Sequence, residues 1–146
     1  MRKGFSLLTA IIFLVLVATI SMLALTLSTQ SAKQTTDIFL KNQAELLLKS
    51  GTEYAMLAMS GFDYNTTNCL NSINIKYPDN TNPTHDINIT ISYIGSGLGT
   101  GCTNVLEANI DTPESNRTVI IDTVVTTTPG IVSEQIRLHR RSIQKP

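Results

Sequence analysis

Hydrophobic and polar positions divide the chain into three stretches, of which the first is almost wholly apolar. The run from Phe5 to Leu27 contains no charged side chain. As an α-helix, its 23 residues would extend roughly 35 Å, which is enough to cross the hydrocarbon core of a bilayer. The pattern therefore predicts a transmembrane helix over residues 5–27.

The second stretch, residues 28–61, predicts an amphipathic continuation of the same helix. No Pro precedes Pro78, and the first Gly after Gly4 is Gly51, so the membrane helix can continue outward without a break. Charges of alternating sign recur every four residues and predict a solvated stripe: Asp37, Lys41, Glu45, Lys49 and Glu53. Apolar residues largely away from this stripe are expected to cover a sheet: Phe39, Leu40, Leu46, Leu47, Tyr54 and Leu57. The helix is expected to end near Gly61.

The third stretch, residues 62–146, predicts a small β-sheet head. Its strands are indicated by alternation and by β-branched residues. Three main strands are predicted, a half-buried one at Asp86–Ile94, one at Thr118–Thr127 and one at Val132–Ser142. A further short strand is predicted at Ser72–Tyr77. Pro129-Gly130 predicts a type II turn that joins the last two main strands as a hairpin. The fold class is thus α+β, a long N-terminal helix packed on an antiparallel meander of three or four strands.

The residues before the apolar run indicate its orientation. Arg2 and Lys3 precede the span, so they are expected to stay cytoplasmic and to direct everything after Leu27 outside. A conventional secretory signal needs a small-residue cleavage site beyond the apolar run, and Ala24-Leu25-Thr26 fits that requirement poorly.

This start, Met1-Arg2-Lys3-Gly4-Phe5 followed by the apolar run, resembles the class III signal of type IV pilins and of type II secretion pseudopilins. The resemblance is carried by residues 2–30, and beyond them by architecture alone. It implies that a prepilin peptidase removes residues 1–4 as a leader by cutting after Gly4 and methylates the amino group of Phe5. The alternatives are an uncleaved signal anchor and a conventional signal peptide.

One position departs from the family pattern. The fifth residue after the cut is commonly Glu, which is thought to meet the methylated amine of a neighbouring subunit, but here it is Thr9. A hydroxyl is inexpensive in lipid because it can bond to a carbonyl one turn earlier. Thr9 therefore predicts either a subunit at the filament tip, which has no subunit above it, or an unusual subunit that assembles through packing alone.

Composition limits the function of the head. The 146 residues leave room for one small external domain, and the net charge of zero provides no general attraction to nucleic acid or anionic lipid. Cys69 and Cys102 are the only cysteines, and both lie outside the membrane in the predicted topology. In an oxidising periplasm they are expected to pair, the alternative being two buried thiols. Two cysteines without a C-x-x-C repeat do not indicate a metal site.

Candidate catalytic chemistry is sparse. The glycine-rich segment from Gly95 to Gly101 resembles a phosphate-binding loop, but no helical pattern follows it, and we interpret it as a plain loop. His85 and His139 belong to no recognisable catalytic or metal-ligand spacing. We therefore expect no enzyme activity and no cofactor.

Two charged groups allow weaker hypotheses. Glu107, Asp111 and Glu114 could supply oxygen ligands to calcium, but no twelve-residue calcium loop is present, and solvated loop charges are the preferred interpretation. Arg137, His139 and Arg141 share a strand face near Arg140 and Lys145. Such a row could contact nucleic acid, but it is more often a solvated edge that discourages strand pairing.

The sequence thus predicts a non-enzymatic minor pilin or pseudopilin, a filament subunit of a type II secretion or type IV pilus system. Its expected location is the inner membrane, with a single pass and a periplasmic C-terminal domain, and the alternative location is an extracellular filament. The resemblance implies other pilin or pseudopilin subunits, the prepilin peptidase and an inner-membrane assembly platform as partners. The alternative is an uncleaved, signal-anchored periplasmic protein that binds or scaffolds a partner.

Overall fold

The computed structural model describes residues 3–63, 67–110 and 117–145. Within them the chain forms one helix and five strands: α1 (Lys3–Ser60), β1 (Ser72–Tyr77), β2 (His85–Gly95), β3 (Val105–Glu107), β4 (Arg117–Thr127) and β5 (Arg137–Gln144). The chain divides into two compact units, Met1–Ile38 and Phe39–Pro146. The second unit contains the last part of α1 and the whole sheet, which confirms the predicted α+β class.

Helix α1 ends where the sequence predicts. Ser60 is its last residue, and the N–H of Gly61 donates to the carbonyl of Leu57 at 3.2 Å. The N–H of Phe62 donates to the carbonyl of Met59 at 3.3 Å. These two bonds satisfy carbonyls that the last turn would otherwise leave without a partner.

The sheet has the strand order β1-β2-β4-β5, with antiparallel pairing throughout this path. Its centre is the long pairing of β2 with β4, which runs from His85 opposite Thr127 to Gly95 opposite Arg117. β4 and β5 form the predicted hairpin, and Gly130 in the connection has φ 88°, as position i+2 of a type II turn requires.

Alternation along β2 and β4 forms the core. Every second residue of each strand is buried against α1: Ile87, Ile89, Ile91 and Tyr93 on β2, and Val119, Ile121, Thr123 and Val125 on β4. Both sets are the faces that the sequence predicts.

Small residues allow α1 to approach this face closely. Ala44, Gly51 and Ala55 are buried along the helix. A Cβ added at Gly51 would lie 3.2 Å from Cγ2 of Ile87 and 3.3 Å from Cγ2 of Thr123. The backbone of the helix therefore lies almost in contact with the side chains of the sheet.

The expected sheet-facing side of α1 was wrong for four of its six residues. Leu40 is buried and Leu47 is half-buried, but Phe39, Leu46, Tyr54 and Leu57 are exposed. The close approach explains the difference, because most of the buried positions on this side of the helix are small residues, Ala44, Gly51, Thr52 and Ala55. The large apolar side chains are left on another side of the helix.

The strand predictions need two corrections. The sequence analysis did not predict β3, which has three residues and pairs in parallel with β2, Tyr93 opposite Val105. β5 begins at Arg137 instead of Val132. The cause is Thr127, whose hydroxyl accepts the N–H of Ile136 at 3.0 Å and whose carbonyl accepts Nε2 of Gln135 at 3.2 Å. Because these bonds join Thr127 to residues 135 and 136, the connection takes up residues 128–136, and β5 begins only after it.

The predicted disulfide between Cys69 and Cys102 is present, with the two Cα atoms 4.9 Å apart. It joins the segment after the helix to the loop between β2 and β3. Asn71 ties the same segments together, because its Nδ2 donates to the carbonyl of Gly101 at 2.9 Å and its Oδ1 accepts the N–H of Thr103 at 2.9 Å. The glycine-rich loop is therefore fastened at its C-terminal end.

Candidate functional site

The first part of α1 has the length and composition of a membrane span. Leu7–Ser60 contains an 18-residue window of mean hydropathy 2.7, none of which is buried within the protein. Hydroxyl groups in this part bond to helix carbonyls: Thr19 to Leu16, Ser21 to Val17 and Thr26 to Leu23, each at 2.8 Å. These three polar side chains therefore have partners without water, as a lipid environment requires.

The predicted processing and assembly residues all lie in this helix. Gly4 and Phe5 are in its first turn, and Thr9 is exposed one turn later. Cleavage after Gly4, methylation of Phe5 and the role of Thr9 in assembly stay predictions.

The second part of α1 carries an exposed apolar surface that we name the outer stripe: Phe39, Leu46, Tyr54 and Leu57. Between 50 and 69% of each side chain is accessible. At about 100° per residue, Phe39, Leu46 and Leu57 lie within roughly 20° of one another around the helix, and Tyr54 is about 60° away. The outer stripe is therefore a single face, separate from the side that covers the sheet.

The face of the sheet turned away from α1 carries a charge cluster. Nε and Nη2 of Arg141 donate to the two carboxylate oxygens of Asp122 at 2.7 and 3.0 Å, and Nε2 of His139 lies 2.9 Å from Oδ1. Hydrogen bonding to Arg141 is the main cause that lowers the pKa of Asp122, whereas its burial acts in the opposite direction. The basic row that includes Arg137 is thus partly neutralised by an acidic side chain on the neighbouring strand.

Among the described residues, the structure does not bring the remaining candidates together. The residues after Gly101 lead into β3, a strand, and not into a helix. The carboxylate of Glu107 accepts the N–H groups of Ala108 and Asn109. Asp111 and Glu114 lie outside the described residues. Within the described ranges, no group of three or more acidic, His or Cys side chains could hold a metal ion.

His85 has a role that the sequence analysis missed. It is fully buried at the start of β2, with Nε2 3.1 Å from the carbonyl of Leu40 and Nδ1 2.9 Å from Oγ1 of Thr84. Each ring nitrogen thus has a partner, and the side chain links α1 to the sheet. Its position two residues before Ile87, in phase with the buried face of β2, was the signal that could have revealed it.

Comparison with known proteins identifies no relative. No protein-family model, curated protein or solved structure matches this chain.

Proposed function

We propose that this chain is a non-enzymatic minor pilin or pseudopilin, an assembly subunit of a type II secretion or type IV pilus filament. The observation that carries the proposal is the outer stripe on α1. A helix that served only to anchor a head in the membrane would need no apolar face beside its sheet. A helix that leaves lipid to pack against other subunits needs such a face.

The amino-terminal residues support the same function. Gly4 between a basic pair and an apolar run fits a prepilin peptidase site, and the hydroxyl bonding within α1 fits storage in the inner membrane before assembly. In this proposal the head is periplasmic, and an assembly platform and its ATPase extract the helix into a filament with other subunits.

The mature amino terminus tests the processing step. Mass spectrometry of protein from cells with an active prepilin peptidase should give a chain that begins at methylated Phe5. Gly4→Leu should block that processing. An intact Met1 in such cells would contradict the proposal.

The outer stripe provides a separate test. Leu46→Gln should reduce incorporation into sheared filaments, whereas Glu45→Gln, at the adjacent exposed position on the charged side, should leave it unchanged. Both variants should accumulate in the membrane at the wild-type amount, because neither side chain contributes to the buried core. Equal incorporation of the two would remove the argument from the outer stripe.

Thr9 favours one alternative function, because the usual assembly carboxylate is missing. An uncleaved, signal-anchored periplasmic protein that binds or scaffolds a partner would need no such carboxylate.

For a filament subunit, Thr9→Glu distinguishes a position in the shaft from one at the tip. In the shaft the new carboxylate should find a neighbour's amine and raise incorporation, whereas at the tip it should have no benefit and should cost a few kcal/mol in lipid.

A further inference from the structure

The sheet ends on one side at β5, and this edge is open. β5 pairs with β4 along residues Arg137 to Gln144, and no other strand of the described residues lies on its far side. An open edge displays backbone N–H and C=O groups that can pair with a further strand. It is therefore a surface with hydrogen-bonding capacity.

The hydrogen-bond phase shows which residues face the open edge. The N–H of Thr127 donates to the carbonyl of Ile136 at 2.9 Å, and antiparallel pairing then alternates residue by residue. The backbone groups of Leu138, Arg140 and Ser142 consequently point to β4. Those of Arg137, His139, Arg141 and Ile143 point outward.

Helix α1 leaves space beside this edge. A groove of about 620 Å³ runs between the helix and β5. Its walls combine charged, polar and thioether side chains: Lys49, Thr52, Glu53, Met56, Arg140 and Gln144. The buried hydroxyl oxygen of Ser142, between Arg140 and Gln144 on the same face of β5, has no hydrogen-bond partner in the described part of the chain. An added strand would lie about 4.8 Å beyond β5, so alternate side chains could enter this groove.

Charge decides what kind of strand fits. Residues 137–145 contain three Arg, one His and one Lys and no acidic residue. A second copy would place cations opposite cations, which destabilises strand pairing. Asp122 neutralises only one of these charges, so the segment stays positive. A nucleic acid would leave the outward C=O groups of β5 unpaired, whereas a polypeptide strand pairs both N–H and C=O. A strand with carboxylates on the face of Arg137 and His139, and apolar residues toward Leu138 and Met56 on the other face, is complementary on both faces.

From these observations we infer that β5 is an acceptor edge for an extended acidic segment of a different protein, which adds to the sheet as a fifth strand of its antiparallel path. Backbone bonds to the outward groups of β5 supply the pairing, and the basic row selects the partner by charge. This inference does not depend on the proposed filament function.

The test uses the full chain in detergent micelles and labelled ten-residue peptides. A peptide of alternating Glu and Val should bind, and one of alternating Lys and Val should bind at least tenfold more weakly. Ile143→Pro removes one outward backbone N–H and leaves the bonds to β4 in place. The Ile143 side chain is 68% exposed, so its loss does not disturb the core. This variant should weaken binding of the Glu-Val peptide at least tenfold, whereas Ile143→Thr should change binding less than twofold.

Amide exchange in the wild-type protein provides a second measurement that no substitution can confuse. Binding should slow exchange at His139, Arg141 and Ile143 and leave Leu138 and Arg140 unchanged. Failure of the Glu-Val peptide to bind would mean that the basic row only discourages pairing. Equal binding by the Lys-Val peptide, or tighter binding by a ten-nucleotide single strand with no change in these amides, would also overturn the inference.

Discussion

Removal of the Cys69–Cys102 disulfide should greatly increase transient unfolding of the head. The two residues are 33 positions apart. Closing a loop of that length lowers the entropy of the unfolded chain by an amount worth about 3.7 kcal/mol at 25 °C in the chain-entropy model. Since each 1.4 kcal/mol is a factor of ten, the double variant Cys69→Ala/Cys102→Ala should unfold roughly 400 times more often.

Amide hydrogen exchange of the full chain measures this directly. The core amides of Ile89 and Ile121 exchange only when the sheet opens, so their protection factors should fall by about that ratio. The native loop should persist, because Asn71 still joins the two segments through Gly101 and Thr103. Wild-type protein treated with a reductant should behave like the double variant. A change in protection below threefold in both samples would refute the entropic reasoning.

Three further outcomes follow from particular contacts. Gly101→Ala should destabilise the head severely, because the new Cβ would collide with the backbone of Thr67, and urea denaturation of the full chain measures the loss. Gly51→Leu should cost about 1–3 kcal/mol in the same assay, because the helix has no space for a side chain there. The pKa of the Asp122 carboxyl is lowered chiefly by Arg141. The ionised carboxylate therefore stabilises the folded protein above the ordinary carboxyl pKa, and this contribution is lost as pH falls below about 4. Asp122→Asn should therefore flatten the acid limb of the stability–pH curve, and an unchanged limb would contradict this assignment.

The strands that the sequence predicts well are those with a clear alternation. β2 and β4 are long and rich in β-branched residues, so their buried faces could be read directly from every second position. β3 could not be found in this way, because three residues are too short to show a period. Its pairing depends on a tertiary contact, the bond from the N–H of Tyr93 to the carbonyl of Asn104 at 2.8 Å.

The helix illustrates a different limit of sequence reasoning. Two faces of α1 contain apolar residues, and hydrophobicity alone favoured the one with the larger side chains. The sheet instead contacts the face with Ala44, Gly51 and Ala55, because small residues let the helix backbone come close to the side chains of the sheet. For the candidate site, the same limit means that the outer stripe could be recognised only after the sheet had been placed.

The separation of these two faces has an energetic consequence. The outer stripe makes no contribution to the buried core, so polar substitutions at Leu46 and Leu57 should leave the stability of the head nearly unchanged. Burial of a Leu or Phe side chain is worth about 1.5–3 kcal/mol, so covering most of the four residues could supply several kcal/mol to an association between helices. If the proposed filament function holds, the stability of the head and the affinity for neighbouring subunits can therefore be altered independently in this helix. If Leu46→Gln lowered both the urea midpoint of the head and incorporation into filaments, the assignment of the outer stripe to assembly would fail.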